Sequence, residues 1–376
     1  MNRGRKLCIG LTSLRRENSL LFEQVIEALK GSKERPPVMK KVMGIAVIAG
    51  LFLAAWASPR PDDFPVLTGP YLGQTPPGNM PVIFAPGIVS TGLYTRDIAI
   101  SKTGNEIFFC VADGGLSAIF VTQLSGGRWT EPAIAPFSGK GFLDFEPHLS
   151  PDGRQLLFLS NRPPAGREPG NAWFYQHIWA TARTHEGWSE PRMVPAPVNS
   201  EDNEFFPSVT EDNVLYFTRA KKNGPARIYR AKLENGRYAE PEMLPFRVPR
   251  KGMLFNAFVS PQEDFLITCA LNIEAANIDQ DYYISFRMPD GGWSTLTRFG
   301  PEINTPGDNA NSAFVSPDSR FLFFSSSRRD PSKPDIMSGT TLRDIIRSKS
   351  DPGSGSSAIY WVSSKIIEDM KPKELK

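Results

Sequence analysis

The chain has 376 residues, 40% of them hydrophobic, which is enough for a large repeat domain with a substantial core. Its formal charge of +3, with no basic stripe carrying interleaved aromatics, excludes a nucleic-acid binder. The 34 prolines, 31 glycines and 25 phenylalanines describe many turns between short strands, not a helical protein.

In chain order, Met39-Lys40-Lys41 opens an apolar run from Val42 to Ala55. The small-x-small site Ala55-Trp56-Ala57 follows, then Ser58-Pro59. This order predicts a secretory signal peptide, Met39 to Ala57, and a mature start at Ser58. The run is shorter than the roughly 20 residues of a membrane span. No cysteine follows it, so no lipid anchor is expected. Two readings fit residues 1–38. They are an over-extended reading frame before a true start at Met39, which the pattern favours. Alternatively, they are a long n-region whose apolar stretch stays as an anchor. The first reading makes the protein periplasmic or secreted, with no stable membrane span after cleavage. Cys8 precedes the signal. Cys110 and Cys269 fall at one depth of equivalent strands in different repeats, too far apart to bridge, so two free buried thiols are expected.

Residues 58–78 read as a Pro-rich lead-in. Beyond them one pattern occurs five times: TRDIAISKTGNEIFFCVAD from Thr95, DFEPHLSPDGRQLLFLSNR from Asp144, EFFPSVTEDNVLYFTRA from Glu204, LFNAFVSPQEDFLITCA from Leu254 and NSAFVSPDSRFLFFSSSR from Asn311. Each predicts a strand, a tight turn and a strand. The turn is fullest at Ser150-Pro151-Asp152-Gly153, where Pro pre-sets φ and Asp and Gly suit the bend. The strand after it is almost wholly apolar, as expected between two neighbouring sheets. A second half recurs as well. It gives a strand, a polar Gly turn, an aromatic (Trp129, Trp188, Tyr238, Trp293) and a last short strand. Four strands per unit of about 40–50 residues predict a propeller blade.

The fifth unit lacks its last strand, and NMPVIFAPGIVS, residues 79–90, matches the missing piece. The expected fold is therefore all-β: a five-bladed β-propeller of four-stranded antiparallel blades, closed by an N-terminal strand that completes the last blade. Closure of this kind removes an exposed sheet edge. The expected blades are 95–141, 142–199, 200–249, 250–305 and 306–366 with 79–90. The propeller spans 79–370 and a charged tail 371–376. The Ser-Pro-Asp-Gly turn, the apolar strand and Ser160-Asn161-Arg162 together resemble the WD-like repeat of TolB-type periplasmic propellers. That resemblance implies an exported fold that works by binding. The third and fourth copies depart from it, with Glu211-Asp212 and Gln262-Glu263 in the turn.

Blade geometry puts the start of each first strand beside the channel. The second-to-third-strand loops share that face, and three are long: 163–176, 271–281 and 328–357. The last holds TTLRDIIRS, a candidate short helix. Long loops on one face mark where function sits. Four residues before each Ser/Thr anchor stand Asp97, Glu146, Phe206, Asn256 and Ser312. Asp97 and Glu146 are thus candidate catalytic carboxylates, a pair suited to acid–base work on a glycosidic bond if they converge in an open pocket. The competing reading has them closing blade tops with Arg96 as an ion-pair partner. Candidate ligand-binding residues are Arg96, Asp97, Glu146, Glu204, Asn256, Asn311 and Arg162. Arg162, Arg219 and Arg328 recur at equivalent places, which favours an inter-blade tie over carboxylate binding. His148, His177 and His185 match no metal spacing, so no metal and no cofactor are expected. No G-x-S-x-G elbow is present. The expected function is a non-catalytic module, acting as a monomer, that binds a protein, peptide or glycan at the channel face, possible partners including an envelope complex. The alternative is a carbohydrate-active hydrolase or lyase.

Overall fold

The computed structural model describes residues 64–376, apart from 172, 223, 275–278 and 334–336. The expected signal segment 39–57 and Cys8 lie outside the described residues. No helix among those described is long and apolar enough to cross a membrane.

The first strand, β1 (Val82–Ile83), has its partner at the other end of the chain. The first blade runs β2 (Tyr94–Ile100), β3 (Glu106–Asp113), β4 (Leu116–Ser125) and β5 (Arg128–Trp129), with β6 (Ala133–Ile134) also paired to β4. The second is β7 (Asp144–Leu149), β8 (Gln155–Ser160), β9 (His177–Thr184) and β10 (Gly187–Trp188), with β11 (Arg192–Met193) on β9. The third is β12 (Asn203–Val209), β13 (Val214–Ala220), β14 (Ala226–Glu234) and β15 (Arg237–Tyr238), with β16 (Glu242–Met243) on β14. The fourth is β17 (Met253–Val259), β18 (Phe265–Leu271), β19 (Asp281–Phe286) and β20 (Thr297–Arg298). The fifth is β21 (Ala313–Val315), β22 (Phe321–Ser326) and β23 (Ala358–Ser363), finished by β1. Inner strands touch in the cycle β2, β7, β12, β17, β21 and back to β2, so the ring is a closed five-bladed propeller.

The outer strand differs from expectation in being split. Pro132, Pro191 and Pro241 stand at the break in the first three blades. Proline has no N–H for the ladder, so pairing stops and resumes beyond it.

The repeated serine owes its place to the turn. Ser101, Ser150, Ser260 and Ser316 each accept, through Oγ, a backbone N–H from the strand that follows, and Thr210 does so through Oγ1. Three residues on, Gly104, Gly153, Asn213, Glu263 and Ser319 all take a left-handed φ, between 57° and 70°. This explains the sequence drift at that turn. The Ser/Thr clasp is kept, while the left-handed position goes to Gly, Asn or a strained side chain.

Buried apolar side chains form five clusters, one between each neighbouring pair of blades. The recurrent Trp residues serve these spaces. Trp188 packs edge-on to Phe108 and Phe137, and Trp293 to Tyr216. Trp129 donates through Nε1 to Gly69 O at 2.7 Å, which holds the lead-in against the first blade. Cys110 and Cys269 are both free and buried. The predicted short helix is α1 (Leu342–Lys349), started by a Thr341–Asp344 capping box. Gly92 packs under its C-terminal end, where a Cβ would lie 2.5 Å from Lys349 O, so only glycine fits. After β23 the chain forms α2 (Lys365–Asp369), which buries Ile367.

Candidate functional site

The aligned inner strands place equivalent residues in rings around the channel. Their geometry comes from one device, a bulge. Register shifts fall at Arg96/Ile98, Phe145/His148, Phe205/Ser208 and Phe255/Phe258. The bulged residues Asp97, Glu146, Phe206 and Asn256 have φ of 55°, 60°, 53° and 54°. A bulge re-aims a side chain and frees its N–H from the ladder. In the fifth blade the buried Tyr282 hydroxyl replaces the bulge, accepting the N–H groups of Asn311 at 3.1 Å and Ser312 at 3.2 Å.

The freed N–H groups bond around the ring. Asp97 N–H donates to Ser312 Oγ at 3.0 Å, Glu146 N–H to Asp97 Oδ2 at 3.2 Å, and Phe206 N–H to Glu146 Oε2 at 2.8 Å. Phe206 has no acceptor to offer, so Asn256 N–H goes to Thr218 Oγ1 at 2.8 Å. Arg96 bridges the two carboxylates, Nε to Asp97 Oδ1 at 3.0 Å and Nη2 to Glu146 Oε1 at 2.9 Å. All four carboxylate oxygens are therefore engaged, and side-chain exposure is 3% for Asp97 and 4% for Glu146. The candidate catalytic pair forms an interlocked plug at the channel waist, beside a cavity of only 20 Å³.

Two titrations mark this region. Burial pushes the Glu146 carboxyl up to about 7, against the pull of Arg96 and with added repulsion from Asp97. Burial pushes His148 down to about 4, and its Nε2, which accepts the Val209 N–H at 2.9 Å, must be unprotonated to do so. Their linkages have opposite sign. The raised Glu146 binds its proton more tightly folded than unfolded, so its contribution to stability is full at low pH and falls as pH rises from about 4.5 to 7. The lowered His148 contributes stability above its unfolded value and loses it as pH falls from about 6.5 to 4. The two slopes oppose each other over most of one window. Urea unfolding across pH 4 to 8 is expected to show stability rising with pH more steeply in Glu146→Gln than in the parent. An unchanged profile would refute a raised Glu146.

One residue earlier, the ring Arg96, Phe145, Phe205, Phe255 and Asn311 opens on the loop-bearing face and lines the channel mouth. The mouth comprises two adjoining concavities of 360 and 430 Å³ that share Phe145 and Trp173. Trp173 stacks on Phe145 with centroids 5.5 Å apart, and the Arg96 guanidinium lies over Phe145 at 5.2 Å. Gln176 and Asn256 add amides to the wall. Asn256 donates through Nδ2 to Asn311 O at 2.6 Å, while its buried Oδ1 has no partner among the described residues.

The structure brings Arg96, Asn256 and Asn311 to the mouth, Asp97 to the waist, and Glu146 to the boundary between the two. It does not bring Glu204 or Arg162 there. Side chains alternate along a strand, and the position before the mouth ring points between blades. Glu204 is fully buried against Arg219 (2.9 Å) and Ser200, and Arg162 is paired to Asp144. Of the three long loops, the first lines the mouth, through Trp173 and Gln176; described residues of the other two do not line it. Sequence reading by polar residues missed the phenylalanine ring. Its signal was Phe five residues before the anchor in three copies. No group of His, Cys, Asp or Glu able to hold a metal occurs among the described residues.

No protein-family model and no curated protein matches the sequence. Solved structures similar to the chain include TolB from Acinetobacter baumannii, at 14% identity and a TM-score of 0.44, covering 72% of this chain and 57% of that one. A putative TolB from Agrobacterium tumefaciens matches at 14% identity and a TM-score of 0.43, covering 72% and 90%. An α-L-arabinofuranosidase from Podospora anserina matches at 12% identity and a TM-score of 0.41, covering 76% and 94%. The chain spans little more than half the length of the Acinetobacter protein. These likenesses concern the fold alone.

Proposed function

We propose that this TolB-like propeller is an exported, non-catalytic binding module whose channel mouth takes a glycan. The observation that carries the reading is the mouth itself. Aromatic rings and amides line an open concavity, while the carboxylates beneath it, Asp97 and Glu146, are locked by Arg96 and backbone N–H groups. Recognition sites combine apolar and aromatic walls with a few placed polar groups. Stacked rings suit the apolar faces of sugars, and amides suit their hydroxyls. Export is supported by the Met39 to Ala57 signal pattern.

A glycan array with the purified protein tests this, with a peptide library as the competing arm. Trp173→Ala is expected to weaken binding tenfold or more, as loss of a stacking platform does at a hot spot. Binding of peptides but not glycans would overturn the glycan assignment, and binding indifferent to Trp173 would overturn the site.

The second reading, a carbohydrate-active enzyme, draws on one feature: a buried carboxyl raised to about 7 is suited to act as a general acid. It requires Glu146 to exchange Phe206 N–H and Arg96 for substrate. Turnover of any glycan, abolished in Glu146→Gln, would establish it in place of the binding module.

A further inference from the structure

The channel has another open end, on the face of the Ser-Pro turns. A cavity of 200 Å³ lies there, and residues from all five blades line it, joined by Ile367 and Glu368 of α2. Its walls combine apolar side chains, Phe258, Phe265, Phe314 and Val209 among them, with polar and charged ones. The waist cavity of 20 Å³ separates it from the mouth and has room for little more than one water. The two ends are thus distinct sites for anything of molecular size.

His148 stands in the wall of this cavity, buried to all but 8%. Its Nε2 accepts the Val209 N–H at 2.9 Å. An imidazole nitrogen that accepts carries no proton, so the neutral ring bears its hydrogen on Nδ1. No hydrogen bond among the described residues uses Nδ1. Burial holds the ring neutral at ordinary pH. The wall of this cavity, in which His148 stands as it also does at the waist, therefore contains an imidazole donor that no hydrogen bond among the described residues uses. Around it stand one cation, Lys102, and three carboxylates, Glu211, Asp264 and Glu368, the last paired with Lys371 at 2.7 Å. This balance disfavours an anion.

We propose that this cavity is a second binding site, for a compact uncharged molecule with an apolar body and one carbonyl-type acceptor that receives His148 Nδ1–H. The size agrees, since an apolar cavity of about 150 Å³ accommodates benzene. The space here takes a ring with a short substituent.

Calorimetric titration of the full chain with acetophenone and with ethylbenzene, its near-isostere without the acceptor, tests the assignment. Acetophenone is expected to bind about tenfold tighter, the scale of one buried hydrogen bond. The gap should close in His148→Phe. Gln262→Trp, a change at an exposed rim residue, should weaken both probes tenfold or more, and Trp173→Ala at the opposite mouth should weaken neither. Long-range ¹⁵N correlation should show Nδ1 as the protonated nitrogen of His148, shifting with acetophenone only. Equal affinity for the two probes, failure of both to bind, tighter binding of benzoate, or indifference to Gln262→Trp would each overturn the proposal. Should His148→Phe not fold, because Val209 N–H loses its acceptor, the parent comparison and Gln262→Trp still decide.

Discussion

Arg162→Ala is expected to destabilise the propeller by about 3–5 kcal/mol, the scale for breaking a buried ion pair from one side. Arg162 bonds both oxygens of Asp144, which is fully buried, and also Ser160 Oγ at 2.6 Å and Phe137 O at 2.9 Å. Its guanidinium lies over Phe142 and Phe158, at 4.9 and 5.3 Å. Phe137 belongs to the connection leaving the first blade, so one side chain ties two blades. Arg219 repeats the device with Glu204 and the carbonyls of Pro197 and Val198. Arg328 repeats it beside Asp308, with the carbonyls of Glu302 and Ile303. Alanine leaves the Asp144 charge buried with, among the described residues, Ser138 Oγ and Gly139 N–H to answer it. Urea unfolding measures the loss. Arg162→Met with Asp144→Asn should be less destabilised than Arg162→Met alone, because the stranded charge is then gone. A loss under about 1 kcal/mol in Arg162→Ala would mean that the pair behaves as a surface ion pair.

Phe84→Ala should cost about 3–5 kcal/mol, the range for emptying a packed phenylalanine site. Phe84 is fully buried, edge-on to Phe323 at 5.1 Å and to Trp361 at 5.2 Å. Its N–H donates to Ile359 O at 2.8 Å, just beyond the β1–β23 pairing of Val82 with Trp361 and Ile83 with Tyr360. Ser90 Oγ adds a bond from Ile359 N–H at 3.1 Å. This segment joins the two ends of the propeller, so its loss exposes the β23 edge as well as a cavity. Self-association through that edge is the expected consequence. Chemical unfolding and light scattering should show lower stability and larger particles together. Val82→Ala, at a residue 41% exposed, serves as the control and should change stability by less than about 0.5 kcal/mol. Equal losses at the two positions would contradict closure by a packed anchor.

The sequence alone determined the ring. Ser150-Pro151-Asp152-Gly153 and its four relatives announce strand–turn–strand because turn chemistry is local: a hydroxyl clasp and a left-handed residue act within five positions. The closing segment near Ile83 was legible because it repeats the outer-strand pattern that the fifth blade lacks. The recurrence of Arg162, Arg219 and Arg328 pointed to a tie between blades, although their acidic partners and the carbonyls they reach were not visible. Which side of each inner strand meets the channel was decided only by the tertiary structure. The bulge at Asp97 and Glu146 adds a residue to one strand, shifts the alternation and turns these carboxylates into each other's neighbours. Only the closed ring brings Arg96 between them, and sequence cannot register a contact between blades about fifty residues apart. The same shift moves Phe145, Phe205 and Phe255 to the mouth and leaves Glu204 and Arg162 between blades. Local chemistry thus wrote the blades, while closure of the ring, a non-local event, decided what the channel presents.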